Sequence, residues 1–127
     1  MVGVVLLDDE RFLHDVMRNI VEFLGHRFLG GYTSLRSFLE RAPEELGEGD
    51  FIVVDLSLED FYPERDIEHL KKRFKGARVY LFSGRRDAEN IARKWGADGV
   101  MLKPLSIDEI GAHLRRAQGV VLVEDSP

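Results

Sequence analysis

The chain has no cysteine, which removes disulfides, thiolate catalysis and thiolate-held metals together. Its four prolines, Pro43, Pro63, Pro104 and Pro127, are scattered, and no Gly-, Ser- or Pro-rich stretch marks an interdomain linker. No run approaches the roughly 18 apolar residues of a membrane span, and the N-terminus lacks a basic region followed by an apolar run of signal-peptide length. Positive charge is also in deficit: the net charge of −5 argues against nucleic acid or an anionic membrane as the main partner. The expectation is a cytoplasmic protein. What remains is ordinary for a folded domain, since 44% of the 127 residues are apolar and 32% charged, enough to bury one core without staples.

Short apolar runs alternate with amphipathic stretches. "VGVVLL" (2–7) precedes "FLHDVMRNIVEFLG", where Phe12, Leu13, Val16, Met17, Ile20, Val21 and Leu24 recur at helical spacing and Gly25 is a natural stop. "RFLGGY" is a weaker strand, followed by a helix from Thr33 or Ser34 through Leu39. "FIVVD" (51–55) is the third strand, and Pro63 suits the start of a helix running from about Glu64 to Phe74. "RVYLF" (78–82), the helix "DAENIARKWG", "GVML" (99–102) and a last helix reaching about Ala117 complete the series, with Ser106 and Glu109 spaced as a capping box. Five strands each followed by a helix predict an α/β sheet, mostly parallel and covered on both faces. Right-handed crossovers bring every strand's C-terminal end to one edge, where such sheets bind ligands.

That edge explains an otherwise costly feature. "VVLLDDE" ends a buried run with Asp8, Asp9 and Glu10, and like charges about 4 Å apart repel by roughly 4 kcal/mol per pair at an effective dielectric near 20. Asp55, Ser83 and Lys103 each follow another strand, so they converge with Asp8 and Asp9 on one small site. Three carboxylates match a hard cation, Mg²⁺ above all. A carboxylate can also be the nucleophile of phosphoryl transfer, with metal and fixed cations neutralising the transferred group. Lys103 would supply fixed positive charge and the Ser83 hydroxyl a hydrogen bond. Taken singly these residues have plainer readings: Asp8, Asp9 and Asp55 as turn or helix caps, Ser83–Gly84 as a turn, Lys103 as a solvated lysine.

Four motifs in order and spacing, "LLDDE", "VVDLS", "LFSG" and "LKP", give the chain a resemblance to the receiver domains of two-component response regulators over residues 2 to about 118. The resemblance implies a flavodoxin-like (βα)5 sandwich with strand order 2-1-3-4-5. It assigns Asp55 as phosphoacceptor, Asp8 and Asp9 as acids that hold Mg²⁺ (or Mn²⁺) with the Ser57 backbone carbonyl, Ser83 as switch hydroxyl and Lys103 as the phosphate-contacting lysine. It also implies a cis Lys103–Pro104 bond. The implied partners are a histidine kinase or phosphotransfer protein as donor and a downstream effector protein, with a homodimer through the fourth helix, fifth strand and fifth helix as a further expectation. Residues 1–118 are then the receiver domain, and 119–127 a tail too short for an output domain, whose "VVLV" could add to a sheet edge.

Three departures stand out. Val100 takes the place of the aromatic that usually reports phosphorylation, "LSLEDFYPERD" replaces the usual loop after the acceptor, and Arg85 stands two residues past Ser83, where side chains tune phosphoryl lifetime. His14, His26, His69 and His113 lack ligand spacing and read as surface or helix-face residues; Trp95 with Ile91 reads as core. Two other functions share the pattern: a receiver-like binding module that is never phosphorylated, working through its fourth-helix face, and a Mg²⁺-dependent phosphohydrolase. The latter is disfavoured because Asp55 lacks the DxD nucleophile pattern of haloacid-dehalogenase-like phosphatases.

Overall fold

The structure, a computed structural model, describes residues 1–117; the expected tail at 119–127 lies outside the described residues. Ten elements alternate along the chain: β1 (Gly3–Leu7), α1 (Arg11–Phe23), β2 (Arg27–Tyr32), α2 (Leu35–Arg41), β3 (Phe51–Asp55), α3 (Pro63–Arg73), β4 (Arg78–Ser83), α4 (Ala88–Trp95), β5 (Gly99–Leu102) and α5 (Ile107–Ala117). The strands form one parallel sheet of order β2-β1-β3-β4-β5, the flavodoxin-like order expected.

Side chains of the central strands alternate between two cores, as the two-residue period of a strand requires. Val5, Leu7, Ile52, Val54, Val79 and Leu81 pack against Phe38 of α2, Ile67 and Leu70 of α3, and Ala88 and Ala92 of α4. Val4, Leu6, Phe51, Val53, Phe82 and Met101 face Met17 and Val21 of α1 and Ile110 and Leu114 of α5. Burial on both faces is why β1 and β3, up to the Asp55 that ends it, are apolar without interruption.

Local chemistry sets the helix ends. Ser34 caps α2, its Oγ accepting the Ser37 N–H at 3.0 Å. Asp60 reinforces that end by accepting the N–H groups of Leu35 and Arg36 at 2.8 and 2.9 Å. Pro63 opens α3, where its missing N–H costs nothing. Gly96 closes α4 at φ 87°, a left-handed conformation that favours glycine. Only half of the expected box at α5 forms: Ser106 Oγ accepts the Glu109 N–H at 3.3 Å, while the Glu109 carboxylate accepts the Leu102 N–H at 2.8 Å, tying α5 to β5.

Two sequence expectations need correction. The apolar face of α1 is narrower than its pattern, with Phe12 61% and Val16 37% exposed, because the sheet and α5 take only the stripe centred on Met17 and Val21. Trp95 is not core. It lies at the end of α4 and is 38% exposed, its ring 5.2 Å from the Lys94 Nζ, whereas Ile91 does pack inward.

Candidate functional site

Parallel register builds the site. Leu7 pairs with Val54, so Asp8 and Asp55, the next residues, emerge side by side from β1 and β3. Asp55 pairs with Phe82, which puts Ser83 one residue beyond on β4, and the Lys103 N–H donates to the Ser83 carbonyl at 3.2 Å as the chain leaves β5. The Lys103–Pro104 bond is cis.

Asp8, Asp9 and Asp55 each offer a carboxylate oxygen, all within 4.8 Å of one another. Asp8 and Asp55 are buried and Asp9 is exposed. The Lys103 amine lies 3.3 Å from Asp8 Oδ2 and 3.5 Å from Asp55 Oδ1, so one cation serves two buried anions. It also sits over the Phe82 ring, 4.8 Å from its centroid, a contact that favours the ammonium. Backbone donors take one oxygen of each acid: Glu10 N–H donates to Asp8 Oδ1 at 2.9 Å, and Ser57 N–H to Asp55 Oδ1 at 3.0 Å. Asp8 Oδ2 is buried and accepts no hydrogen bond among the described residues, leaving Lys103 as its counter-charge.

Burial pushes the Asp55 carboxyl above its ordinary range and the negative charge of Asp8 adds to the push, while the Ser57 N–H and Lys103 act against it. Burial works against the Lys103 ammonium, but the charges of Asp55 and Asp8 outweigh it and hold its pKa above the ordinary value. Both directions describe a pocket with more negative charge than its single lysine neutralises. Whether the residues present suit a divalent cation can be read from this: three converging oxygen donors, one of them buried without a hydrogen-bond donor, are the hard ligands that Mg²⁺ prefers.

The other expected residues fall around this cluster. Ser83 is buried, and its Oγ accepts the Arg85 N–H at 3.0 Å. The Arg85 guanidinium points at Asp87, with Nε and Nη2 3.0 and 2.8 Å from its carboxylate oxygens. Ser57 is exposed at the turn after Asp55. Val100 is half-buried and packs with the core against α4, with no aromatic in its place. His14 is a residue that sequence reasoning missed: its Nε2 lies 2.8 Å from the Asp8 carbonyl, joining α1 to the acidic turn. Its position six residues after Asp8, on the first turn of α1, was the available signal. His113 is more enclosed than a surface residue, its ring 4.9 Å from that of Tyr80, and burial lowers its pKa.

No protein-family model matches the chain. Over 118 residues it is 30% identical to the KDP operon transcriptional regulatory protein KdpE of Escherichia coli (strain K12), a match covering 92% of this chain and 51% of that protein. The chain thus spans about half the length of that curated relative. In fold it is similar to the beryllofluoride-activated NtrC4 receiver domain dimer, with TM-score 0.76 and 24% identity over 92% of this chain and 96% of that one. A response regulator receiver domain protein from Clostridium thermocellum gives TM-score 0.73 and 20% identity, covering 94% and 95%. The response regulator DrrB of Thermotoga maritima, an OmpR/PhoB homolog, gives 0.74 and 19%, covering 94% of this chain and 53% of that one. Sequence motifs, acidic edge, strand order and these likenesses agree: the chain has the fold of response regulator receiver domains and is similar in sequence to one response regulator over nearly its whole length.

Proposed function

We propose that Asp55 accepts a phosphoryl group from a phosphohistidine of a histidine kinase or phosphotransfer protein, and that Mg²⁺ (or Mn²⁺) is held by Asp8, Asp9, Asp55 and the Ser57 carbonyl. The observation that carries this reading is the pair of buried carboxylates sharing one lysine. When bound, the cation supplies charge neutralisation for the incoming phosphoryl oxygens.

The chain's own residues account for the rest. Asp55 Oδ1 is committed to the Ser57 N–H and Lys103, which leaves Oδ2 to attack phosphorus. A new O–P bond forms as the P–N bond to the donor imidazole breaks, and that ring leaves with the electron pair and takes a proton. Burial raises the basicity of Asp55 and so favours the nucleophilicity of its ionised form. Lys103, fixed over Phe82, meets the charge carried by the phosphoryl group. The Ser83 hydroxyl, whose oxygen already accepts the Arg85 N–H, keeps its proton to donate to a phosphoryl oxygen.

The product adds about −1.5 to −2 charge beside Lys103 and Ser83, biasing the loops after β3 and β4 and the start of α4 toward an arrangement that an effector reads. With Val100 in place of an aromatic, that output does not run through a ring at position 100. Association through α4, β5 and α5 remains part of the proposal, tested by light scattering with and without beryllofluoride. The test of the chemistry is labelling by acetyl phosphate: the wild type acquires an acyl phosphate with Mg²⁺ and none with EDTA. A receiver-like binding module would show no metal-dependent label under either condition.

A further inference from the structure

We propose that the cleft between α1, the end of β2 and α2 binds a small soluble phosphate-bearing anion through Arg11, Arg18 and Arg41. The cleft has a volume of about 430 Å³, within the roughly 300–1,000 Å³ of small-molecule sites. Arg11 and Arg18 lie two turns apart on one face of α1, and Arg41 is the last residue of α2, so the three reach the cleft from both of its walls. Asp15 is the one acid among its lining residues.

A neighbouring cleft shows why this arrangement is unusual for the molecule. The larger one between α2 and α3, about 720 Å³, also carries arginine and lysine, but each is paired: Arg36 with Glu40, Arg65 with Asp66 and Lys72 with Glu68. Among the described residues no carboxylate lies within the 4.0 Å of an ion pair of Arg11, Arg18 or Arg41. In a chain with 23 acidic and 18 basic residues, three guanidiniums gathered at one concavity without an ion-pair partner give it a local positive charge that favours an anion.

The walls are also set before any ligand arrives. The Arg18 guanidinium lies over the Phe28 ring, 5.2 Å from its centroid, a cation–π contact that restricts its position at one wall of the cleft. The Tyr32 hydroxyl donates to the Arg41 carbonyl at 3.1 Å, joining the end of α2 to β2. A side chain at Gly31 would run into the His14 ring, so glycine lets that ring pack directly on the end of β2 and form the floor of the cleft. Guanidinium forks match the oxygens of phosphate in pairs, and Thr33 lines the same cleft with a hydroxyl. Three cations in one concavity on an acidic chain suit a compact anion better than a membrane or a duplex, which need an extended basic surface. The cleft adjoins the acidic site through His14 but requires nothing of Asp55.

The test uses the full chain, metal-free, titrated with inorganic pyrophosphate and followed by backbone amide NMR. The expected result is saturable binding with shifts at Gly31, Thr33 and Ser37. Affinity should be weakened about tenfold or more in an Arg18→Ser/Arg41→Ser variant of unchanged Tm, as expected for loss of two charge-assisted contacts, and retained in Lys103→Ala. Shifts confined to Asp9, Ser57 and Lys103, equal affinity in the arginine variant, or no saturation would each overturn the proposal. So would arginine-dependent binding to phosphatidylglycerol vesicles without binding of pyrophosphate.

Discussion

Asp50 and Asp55 flank the same strand, one before β3 and one at its end, and both are buried, yet they are partnered in opposite ways. Asp50 Oδ1 accepts the Gly3 N–H at 2.7 Å and Oδ2 the Gly47 N–H at 2.9 Å, so it fastens β1 and the preceding loop with both oxygens. Asp55 shares Lys103 with Asp8, and Asp8 Oδ2 has no hydrogen-bond donor among the described residues. One end of the sheet spends its buried carboxylate on structure. The other holds negative charge that the fold does not neutralise, which is the state a cation-dependent phosphoacceptor needs.

The largest expected effect separates the two acids by chemistry. Asp55→Ala abolishes labelling by acetyl phosphate, whereas Asp50→Ala retains it at temperatures where the variant stays folded; equal loss in both would erase the contrast. Stability should invert the order. Asp50→Ala leaves two backbone N–H groups without their acceptor and costs about 3 kcal/mol, while Asp8→Asn removes a like charge beside Asp55 and raises stability by about 1 kcal/mol in EDTA. Urea unfolding of both variants checks this, and destabilisation by Asp8→Asn would show that its charge is structural. Lys103→Met strips the shared counter-charge and costs about 2 kcal/mol in EDTA, less than a fully enclosed pair because the lysine is partly exposed. Added Mg²⁺ should return part of that loss, and no response to Mg²⁺ would count against the metal site.

A smaller effect comes from pH. The native Asp55 pKa is raised above its ordinary 3.8, so its favourable contribution is full below about that pH and is lost as pH rises through the native value. Lys103 is also raised, but its contribution is constant across the acidic and neutral range and is lost only at alkaline pH. In EDTA, Asp55→Asn should therefore gain on the wild type as pH rises above about 4, by about 1.4 kcal/mol for each pH unit that separates the native and unfolded midpoints of Asp55. A constant difference across that range would mean that Asp55 titrates normally. Smallest of all is Arg85→Ala. With its guanidinium held by Asp87 and half exposed, it should change the decay of the acyl phosphate by about two- to threefold, and equal lifetimes would remove Arg85 from the modulating residues.

The order of strands and the edge shared by Asp8, Asp9, Asp55, Ser83 and Lys103 were legible because each follows an apolar run, and parallel crossovers allow only one gathering point. Helix ends at Gly25, Pro63 and Gly96 were legible for local reasons of backbone conformation. What the pattern could not carry depends on partners distant in sequence. Asp50 meets Gly3 across 47 residues, and Asp60 caps a helix 25 residues earlier. The exposure of Trp95 and Phe12 depends on how much of each helix face the sheet leaves uncovered, which helical spacing does not encode. The orientation of Arg85 was decided by Asp87, two residues on, a competition for which position relative to Ser83 gave no sign.

Peptide mapping by mass spectrometry after treatment with acetyl phosphate tests the central claim most directly. The account predicts a single phosphoryl group on the peptide containing Asp55, present with Mg²⁺ and absent with EDTA. An unmodified chain under both conditions, or a modification on any other residue, would contradict it.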